Sequence, residues 1–470
     1  MRRFSQKDTI CAVATPPGSG GLGVVRISGP EAKGILSRLW RGRKPVSNFR
    51  PRTLYFGDII ILSSDSPSGR TDGSILSDRV LAVFMPGPNT YTGDDVVELS
   101  CHGSQFLLER ITGSIVSCGA RHAEPGEFTR RAFLSGRMDL AQAEGVADLI
   151  AATGERAARL AAEQLSGRLS REIYALGKEI AAVRAEVEAA IDFPEEHIDL
   201  PGTSAVSDKI FRVKDRTDAL RLTFREGRLA RKGVRVAIAG MPNAGKSSIM
   251  NRLSGTDRAI VHSSPGTTRD VVEEAISIGG ILFLLRDTAG LRAEACEVEA
   301  LGIKRTRESI ASADLVLAIV DGSRPFEPQG EEILSKLDPE KTIVVINKSD
   351  LPRAFGPKDP LETRRFATFL STSAKRGDGI EALRKEMFRR CCSDPVTQED
   401  VTVTSSRHKA LLDETNAALS RALSSLEKGE PTEFCAHHLA GAQNSLGGIT
   451  GEVTTDEILN DIFSRFCIGK

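Results

Sequence analysis

The chain has 470 residues, and its 63 Lys plus Arg equal its 63 Asp plus Glu, which excludes a global basic field demanding nucleic acid but leaves room for a local basic patch. Its eight cysteines form no Cys-x-x-Cys pair, which argues against a disulfide framework or structural zinc and for a reducing compartment. No apolar run approaches a membrane span, and the opening MRRFSQKDTI lacks a signal peptide's apolar region, so a soluble, cytoplasmic protein of roughly two to four domains is expected.

Residues 8–28 read as strand, loop and strand. The loop carries Gly-x-Gly-x-x-Gly at Gly18, Gly20 and Gly23. Pro16-Pro17 precede it and β-branched residues follow, where a dinucleotide fingerprint needs a helix, so that reading is rejected. Further strands are predicted over Leu54–Leu62, Arg79–Met85 and Asp95–Ser100, with a helix over Gln105–Cys118 and an exposed hairpin turn over Gly69–Gly73. The sum is a small α+β domain ending near Leu134.

From Met138 the texture becomes Ala- and Leu-rich helix. Leu169, Ile173, Leu176, Ile180, Val183, Val187 and Ile191 step by three and four along one stripe, which Phe193-Pro194 ends. A second stripe runs through Ile210, Val213, Thr217, Leu220 and Phe224. Leu412, Leu419, Leu423 and Leu426 resume the period much later. An α/β module bracketed by helices with unfilled apolar faces predicts an insertion into one helical bundle.

That module starts at Val234–Ser248, VRVAIAGMPNAGKSS. A short buried strand runs into Gly-x-x-x-x-Gly-Lys-Ser, and a helix follows: the P-loop in its required context. Asn243, Ala244, Gly245, Lys246, Ser247 and Ser248 are the candidate phosphate contacts, with Lys246 on the outer phosphates and Ser247 on Mg2+. A second stretch, His262-Ser263-Ser264-Pro265-Gly266-Thr267-Thr268, offers a threonine, Thr268, to the same magnesium. Ile281–Leu285 delivers Asp287-Thr288-Ala289-Gly290, an Asp-x-x-Gly turn suited to sensing a γ-phosphate. Thr342–Ile346 leads into Asn347-Lys348-Ser349-Asp350. The Asp350 carboxylate can accept two hydrogen bonds from guanine, which adenine cannot offer. Ser373-Ala374-Lys375 would bring a backbone N–H to the guanine oxygen. Five short motifs in this order, each at a strand end, specify GTP.

The order and spelling of these motifs resemble the Era-type GTPases. Phrases outside them narrow the resemblance: ATPPGSGGLGVVRISG, FMPGPNTYTGDDVVEL, PGEFTRRAF at Pro125–Phe133, RMDLAQAE at Arg137–Glu144, AAIDFPEEHID and FCIGK. Over nearly the full length the chain is similar to the MnmE (TrmE) family of tRNA modification GTPases. The resemblance implies four segments: a tetrahydrofolate-binding, dimerising domain over 1–134, helical parts over 135–232 and 396–470, and an inserted G domain over 233–395. It implies action with the flavoprotein MnmG, in a heterotetramer, to build a carboxymethylaminomethyl or aminomethyl group at C5 of the wobble uridine of certain tRNAs, the one-carbon unit coming from a tetrahydrofolate.

By matching position, the folate contacts fall on Arg26, Glu98, Arg137 and Lys470, and Cys467 is implied to lie near them and to matter for modification. Residues 122–124 read His-Ala-Glu, where relatives often carry an Arg before the proline. Cys467-Ile468-Gly469-Lys470 is a poor prenylation box, because Gly469 is not aliphatic. Neither Cys391-Cys392 nor Cys435-Ala436-His437-His438 has a completing ligand set for a metal. For hydrolysis, Leu291 stands where Ras-like enzymes place a water-orienting glutamine. The family instead implies paired G domains with a potassium ion in place of an arginine finger, its ligands matching Asn243, Thr267, His262 and Ser264, and Glu299 orienting the attacking water. The alternative, an RNA-binding switch in ribosome assembly, would need an RNA-binding domain after the G domain. The helical stretch after Cys392 contains no Gly-x-x-Gly clamp in a KH-like βα context.

Overall fold

The computed structural model describes residues 8–62, 76–192, 203–255, 273–287, 308–354, 366–392 and 401–470. Two compact units emerge: Met1–Ala147 with Thr450–Lys470, and Asp148–Ile449. Packing thus joins residues 450–470 to the N-terminal segment, where the sequence suggested a helical part beginning at 396.

In the first unit β1 (Ile10–Val13), β2 (Gly20–Ser28), α1 (Ala32–Leu39), β3 (Trp40–Arg41), β4 (Leu54–Ile61), β5 (Leu76–Met85), β6 (Val96–Gly103), α2 (Gln105–Ser117), β7 (Arg121–His122) and α3 (Glu127–Leu134) follow in order. The strands form one sheet ordered β3-β4-β5-β6-β2-β1-β7. Strand alternation sorts its side chains by face. Val25, Ile27, Val80, Ala82, Val97 and Leu99 are buried with Ile35, Leu36, Leu39, Leu108, Ile111 and Ile115 of α1 and α2. The opposite face carries Leu54, Phe56 and Leu81 at 59%, 68% and 40% exposure. On that face, too, Arg26 stands opposite Glu98 in register.

The second unit begins within α4 (Leu140–Ala151) and continues through α5 (Glu155–Leu165), α6 (Arg168–Asp192), α7 (Thr203–Leu222) and α8 (Phe224–Lys232). The stripe of Leu169, Ile173, Leu176, Ile180, Val183 and Val187 is buried, as are Ile210, Val213, Thr217 and Leu220. Next come β8 (Val234–Gly240), α9 (Lys246–Ser254), β9 (Glu273–Ile278), β10 (Ile281–Asp287), β11 (Leu315–Asp321), α10 (Pro328–Ser335), β12 (Thr342–Asn347), β13 (Phe369–Ser371) and α11 (Ile380–Cys391). Their sheet runs β13-β12-β11-β8-β10-β9, parallel except for β9. The chain then closes with α12 (Ser406–Glu427), α13 (Thr432–Thr450) and, in the first unit, α14 (Asp456–Ser464).

Helices from before and after the sheet meet. Asn416 of α12 donates to Asp218 at 2.9 Å and pairs with the buried Thr217 of α7. Val403 N–H donates to the Thr223 hydroxyl at 3.0 Å. The β9–β10 turn, Gly279-Gly280, has positive φ at both residues, as a two-residue hairpin of this hand requires. The Arg156 N–H donates to the Gly280 carbonyl at 3.2 Å. A β-carbon at Gly154 would lie 2.9 Å from that same oxygen, and one at Gly279 would lie 2.4 Å from the Phe388 ring. Among the described residues no helix is long and apolar enough to cross a membrane.

Candidate functional site

Parallel strands present their C-terminal ends on one edge, where backbone groups are left for a ligand. Val234, Val236 and Ile238 bury β8 in the core beneath that edge. Gly240 turns the chain at φ 144°, and a β-carbon there would lie 2.2 Å from the Ile319 carbonyl oxygen. Asn243 adopts φ 60°, a conformation its short polar side chain tolerates. Gly245 caps α9 at φ 96°, so the N–H groups of the first helical turn face the loop's hollow. Lys246 is buried, and its Nζ donates to the Gly240 and Met241 carbonyls at 2.9 Å each. The ammonium is thereby held at the mouth of the loop, where phosphate oxygens would be its partners. Ser247 and Ser248 stand exposed in the first turn of the same helix.

Asn347, buried at the end of β12, joins three parts of the site. Its Nδ2 donates to the Ala244 carbonyl at 3.0 Å, and its Oδ1 accepts from the Ala374 N–H at 3.1 Å. The Ser373 hydroxyl donates to Asp350 Oδ1 at 2.7 Å, and that bond is the first cause holding the carboxyl below its ordinary range. It also leaves the other oxygen of Asp350 for a base. Lys375 is exposed, and its carbonyl accepts from Arg252 of α9 at 3.0 Å. The backbone of Asp287 ends β10 beside β8. His262, Ser263, Ser264, Pro265, Gly266, Thr267, Thr268, Thr288, Ala289, Gly290, Leu291 and Glu299, with the Gly69–Gly73 turn and Phe193-Pro194, lie outside the described residues.

The first unit holds a second constellation. Arg26 Nε donates to Glu98 Oε1 at 2.8 Å, and its Nη1 donates to the Gly469 carbonyl at 3.2 Å. The guanidinium also faces the rings of Phe128 at 5.6 Å and Tyr91 at 6.0 Å. Gly469 is at φ 93°, where a β-carbon would lie 2.3 Å from the Val13 carbonyl oxygen. The Gly126 N–H reaches the Cys467 carbonyl at 3.4 Å. The structure therefore brings Arg26 and Glu98 together with the turn that carries Cys467 and Lys470. Cys467 itself is exposed. The exposed Arg137 side chain follows α3 and bonds to none of those residues. Tyr91, Phe128 and the Gly469 carbonyl were not legible as part of this cluster, since only the fold brings them to Arg26.

Beneath α3 runs an ion-pair network. Arg121 donates to Asp8 at 2.7 Å and to both oxygens of Glu127, at 2.7 and 2.5 Å. Arg131 reaches Asp8 at 2.7 Å and Glu127 at 3.0 Å. Arg121 thus supplies a guanidinium to the turn before Pro125, although residues 122–124 contain no arginine.

Among the described residues, no three His, Cys, Asp or Glu side chains gather as a metal site. A glycine-cradled P-loop tied through one asparagine to the strand end that carries Asp350 is the arrangement of a P-loop GTPase. Comparison with known proteins carries this to a family. A family model described as the MnmE helical domain matches residues 140–467, and one described as the GTP-binding protein TrmE N-terminus matches 9–137. The tRNA modification GTPase MnmE of Syntrophus aciditrophicus is 42% identical over 99% of this chain and 100% of its own length. That of Geobacter sulfurreducens is 42% identical over 99% of both chains, and that of Clostridioides difficile 38% identical over 98% and 99%. The chain belongs to the MnmE family, and it is a GTP-binding GTPase.

Proposed function

We propose that this GTPase modifies tRNA, acting with a flavoprotein partner of the MnmG kind to form the carboxymethylaminomethyl or aminomethyl group at C5 of the wobble uridine. The observation that carries this reading is likeness over the whole chain to proteins named tRNA modification GTPases, with both the N-terminal and the helical portions matched. A free-standing GTP switch would not need the first unit. The helical model spans 140–467 and so brackets the nucleotide module, which supports treating 233–395 as an insertion between helical parts 135–232 and 396–470.

In the nucleotide site Lys246 binds the outer phosphates and the first turn of α9 orients them. Ser247, with its hydroxyl in that turn, and Thr268 would hold magnesium; Asn243, His262, Ser264 and Thr267 would hold potassium. When bound, these ions neutralise charge that develops on the transferring phosphoryl group. Glu299 orients water. Ser263, Pro265, Gly266, Thr288, Ala289 and Gly290 are the further candidate contacts of the triphosphate.

In the first unit Arg26, Glu98, Arg137 and Lys470 would hold a tetrahydrofolate, which would supply the one-carbon unit. Arg26 holds Glu98, and Cys467 lies on the anchored turn. The exposed Leu54, Phe56 and Leu81 beside this cluster support a homodimer formed through the open face of the sheet. The protein would work in the cytoplasm.

Mass analysis of wobble nucleosides in a strain lacking this gene tests the proposal. The modified uridine should vanish, return with the intact chain, and stay absent with Lys246→Ala or Arg26→Ala. A full complement of modified uridine in the deletion strain would overturn it and favour a role in ribosome assembly.

A further inference from the structure

We propose that Asp321, outside every nucleotide-binding motif of this chain, is a positioning residue for guanine-nucleotide binding, holding Lys348 so that its stem walls the base site. Asp321 closes β11, an otherwise fully buried apolar strand, and stands in register with Asn347 at the end of β12. Its carboxylate is divided between two tasks. Oδ1 accepts from the Ser323 N–H at 3.0 Å and from the Ser323 hydroxyl at 2.6 Å, closing the turn after the strand. Oδ2 accepts from Lys348 Nζ at 2.6 Å, with Arg324 more distant at 3.9 Å. The two side chains of the pair are 13% and 30% exposed, so water competes only partly for the ammonium.

Lys348 needs such a hold. Its backbone sits at φ 64°, in the left-handed region that non-glycine residues enter at a cost of about 1–2 kcal/mol. Backbone bonds secure the main chain there: the Leu351 N–H reaches the Lys348 carbonyl at 3.0 Å, and the Ser349 N–H reaches the Thr372 carbonyl at 3.0 Å. The side chain is a four-carbon stem with large rotamer freedom, and among the described residues its only ion-pair partner is Asp321. Fixing the ammonium fixes the stem between Asn347, which reaches the P-loop, and Asp350, which faces the base. Burial raises the Asp321 pKa, but the bonds from Lys348 and Ser323 outweigh it, so the group stays ionised for this task.

A purely structural Asp321 would serve the Ser323 turn alone. Asp321→Asn keeps an oxygen for that turn and removes the charge facing Lys348, whereas Lys348→Met keeps the stem and removes the ammonium. The experiment measures the dissociation constant of a fluorescent GDP analogue, and kcat and KM for GTP, on the full chain carrying each change and both together. Thermal unfolding without nucleotide checks that each protein folds. We expect Asp321→Asn alone to weaken GDP binding about tenfold, as loss of a hydrogen bond to a charged group does, and to raise KM far more than it lowers kcat. In the Lys348→Met background the same change should alter affinity by less than about twofold, because the coupled partner is gone. Equal weakening in both backgrounds, or none in the parent, would overturn the proposal. If Asp321→Asn does not fold, Asp321→Ser, which can still close the turn, is judged by the same two outcomes.

Discussion

Asn347 and Ala244 are 103 residues apart in the chain and joined by a 3.0 Å hydrogen bond from the Asn347 amide to the Ala244 carbonyl. Through it the P-loop and the strand end that carries Asp350 are tied directly to one another, so a change at one is felt at the other. The crowding is severe: a β-carbon at Gly245 would lie 2.1 Å from the Asn347 amide nitrogen. Gly245→Ala should therefore abolish tight binding through two effects, strain at φ 96° of roughly 1–3 kcal/mol and displacement of Asn347. Titration with a fluorescent GDP analogue should show at least about a hundredfold loss, while the unfolding midpoint of the nucleotide-free protein moves by only a few degrees.

The Asp350 carboxylate is held by Ser373 on one oxygen and faces outward with the other. Asp350→Asn presents a donor where an acceptor stood and should shift preference from GTP toward XTP by roughly tenfold or more. Hydrolysis of the two nucleotides side by side decides it, and undiminished preference for GTP would mean that another residue reads the base.

How much of this was legible in the sequence depended on where the determining atoms lie in the chain. The P-loop, the Asn347–Asp350 run and Ser373–Lys375 are local spellings whose backbone geometry follows from their own glycines and strand ends, and the structure places them on one edge. The helical stripes of α6 and α7 were readable because burial imposes their period. Arg26 meeting Gly469, by contrast, joins residues 443 apart, and no period or spacing encodes that pair. The short α1, with Ile35, Leu36 and Leu39 buried under the sheet, was missed among the glycines and charges around it. Asp321 was readable in principle, as a carboxylate ending an all-apolar strand.

Arg26→Ala should act on the first unit alone. It removes the hold on Glu98 and on the Gly469 carbonyl together, so calorimetric titration should show weaker tetrahydrofolate binding by about tenfold or more. GTP hydrolysis should stay within about twofold of the parent. Unchanged folate affinity would remove Arg26 and its cluster from that role.

Potassium should stimulate hydrolysis where sodium does not. At fixed ionic strength, turnover in potassium should exceed that in sodium by about tenfold or more, and Asn243→Ala should erase the difference with much less effect on GDP affinity, because the cation acts on charge that develops during reaction. Equal turnover in the two salts would refute the assignment of Asn243 as a cation ligand.

Acid should unfasten the network beneath α3. Burial pushes Asp8 and Glu127 up, but the Arg121 and Arg131 bonds outweigh it, so both carboxyls lie below their ordinary range in the folded protein. Groups lowered by folding lend stability that is complete above their unfolded pKa of about 4 and is lost as pH falls through the folded values. The unfolding midpoint should thus hold steady down to about pH 5 and drop below about pH 4. Glu127→Gln should lower the midpoint at neutral pH, by about 3 kcal/mol of stability for a broken buried pair, and flatten the acid limb. An unchanged acid limb in that variant would assign the pH dependence to other groups.

The Gly279-Gly280 turn against Gly154 and Phe388 bears on how such a chain can be rebuilt. The Gly280 carbonyl is met by the Arg156 N–H at 3.2 Å, and a single added carbon at Gly154 would come within 2.9 Å of the same oxygen. The helical frame therefore meets the hairpin tip through one backbone bond and a glycine that leaves room for its carbonyl. A nucleotide module transplanted from another GTPase would need a two-residue tip of the same bareness, besides ends that join α8 and α12. A donor whose tip did not bring a carbonyl to the Arg156 N–H would lose this bond even if its nucleotide site were intact.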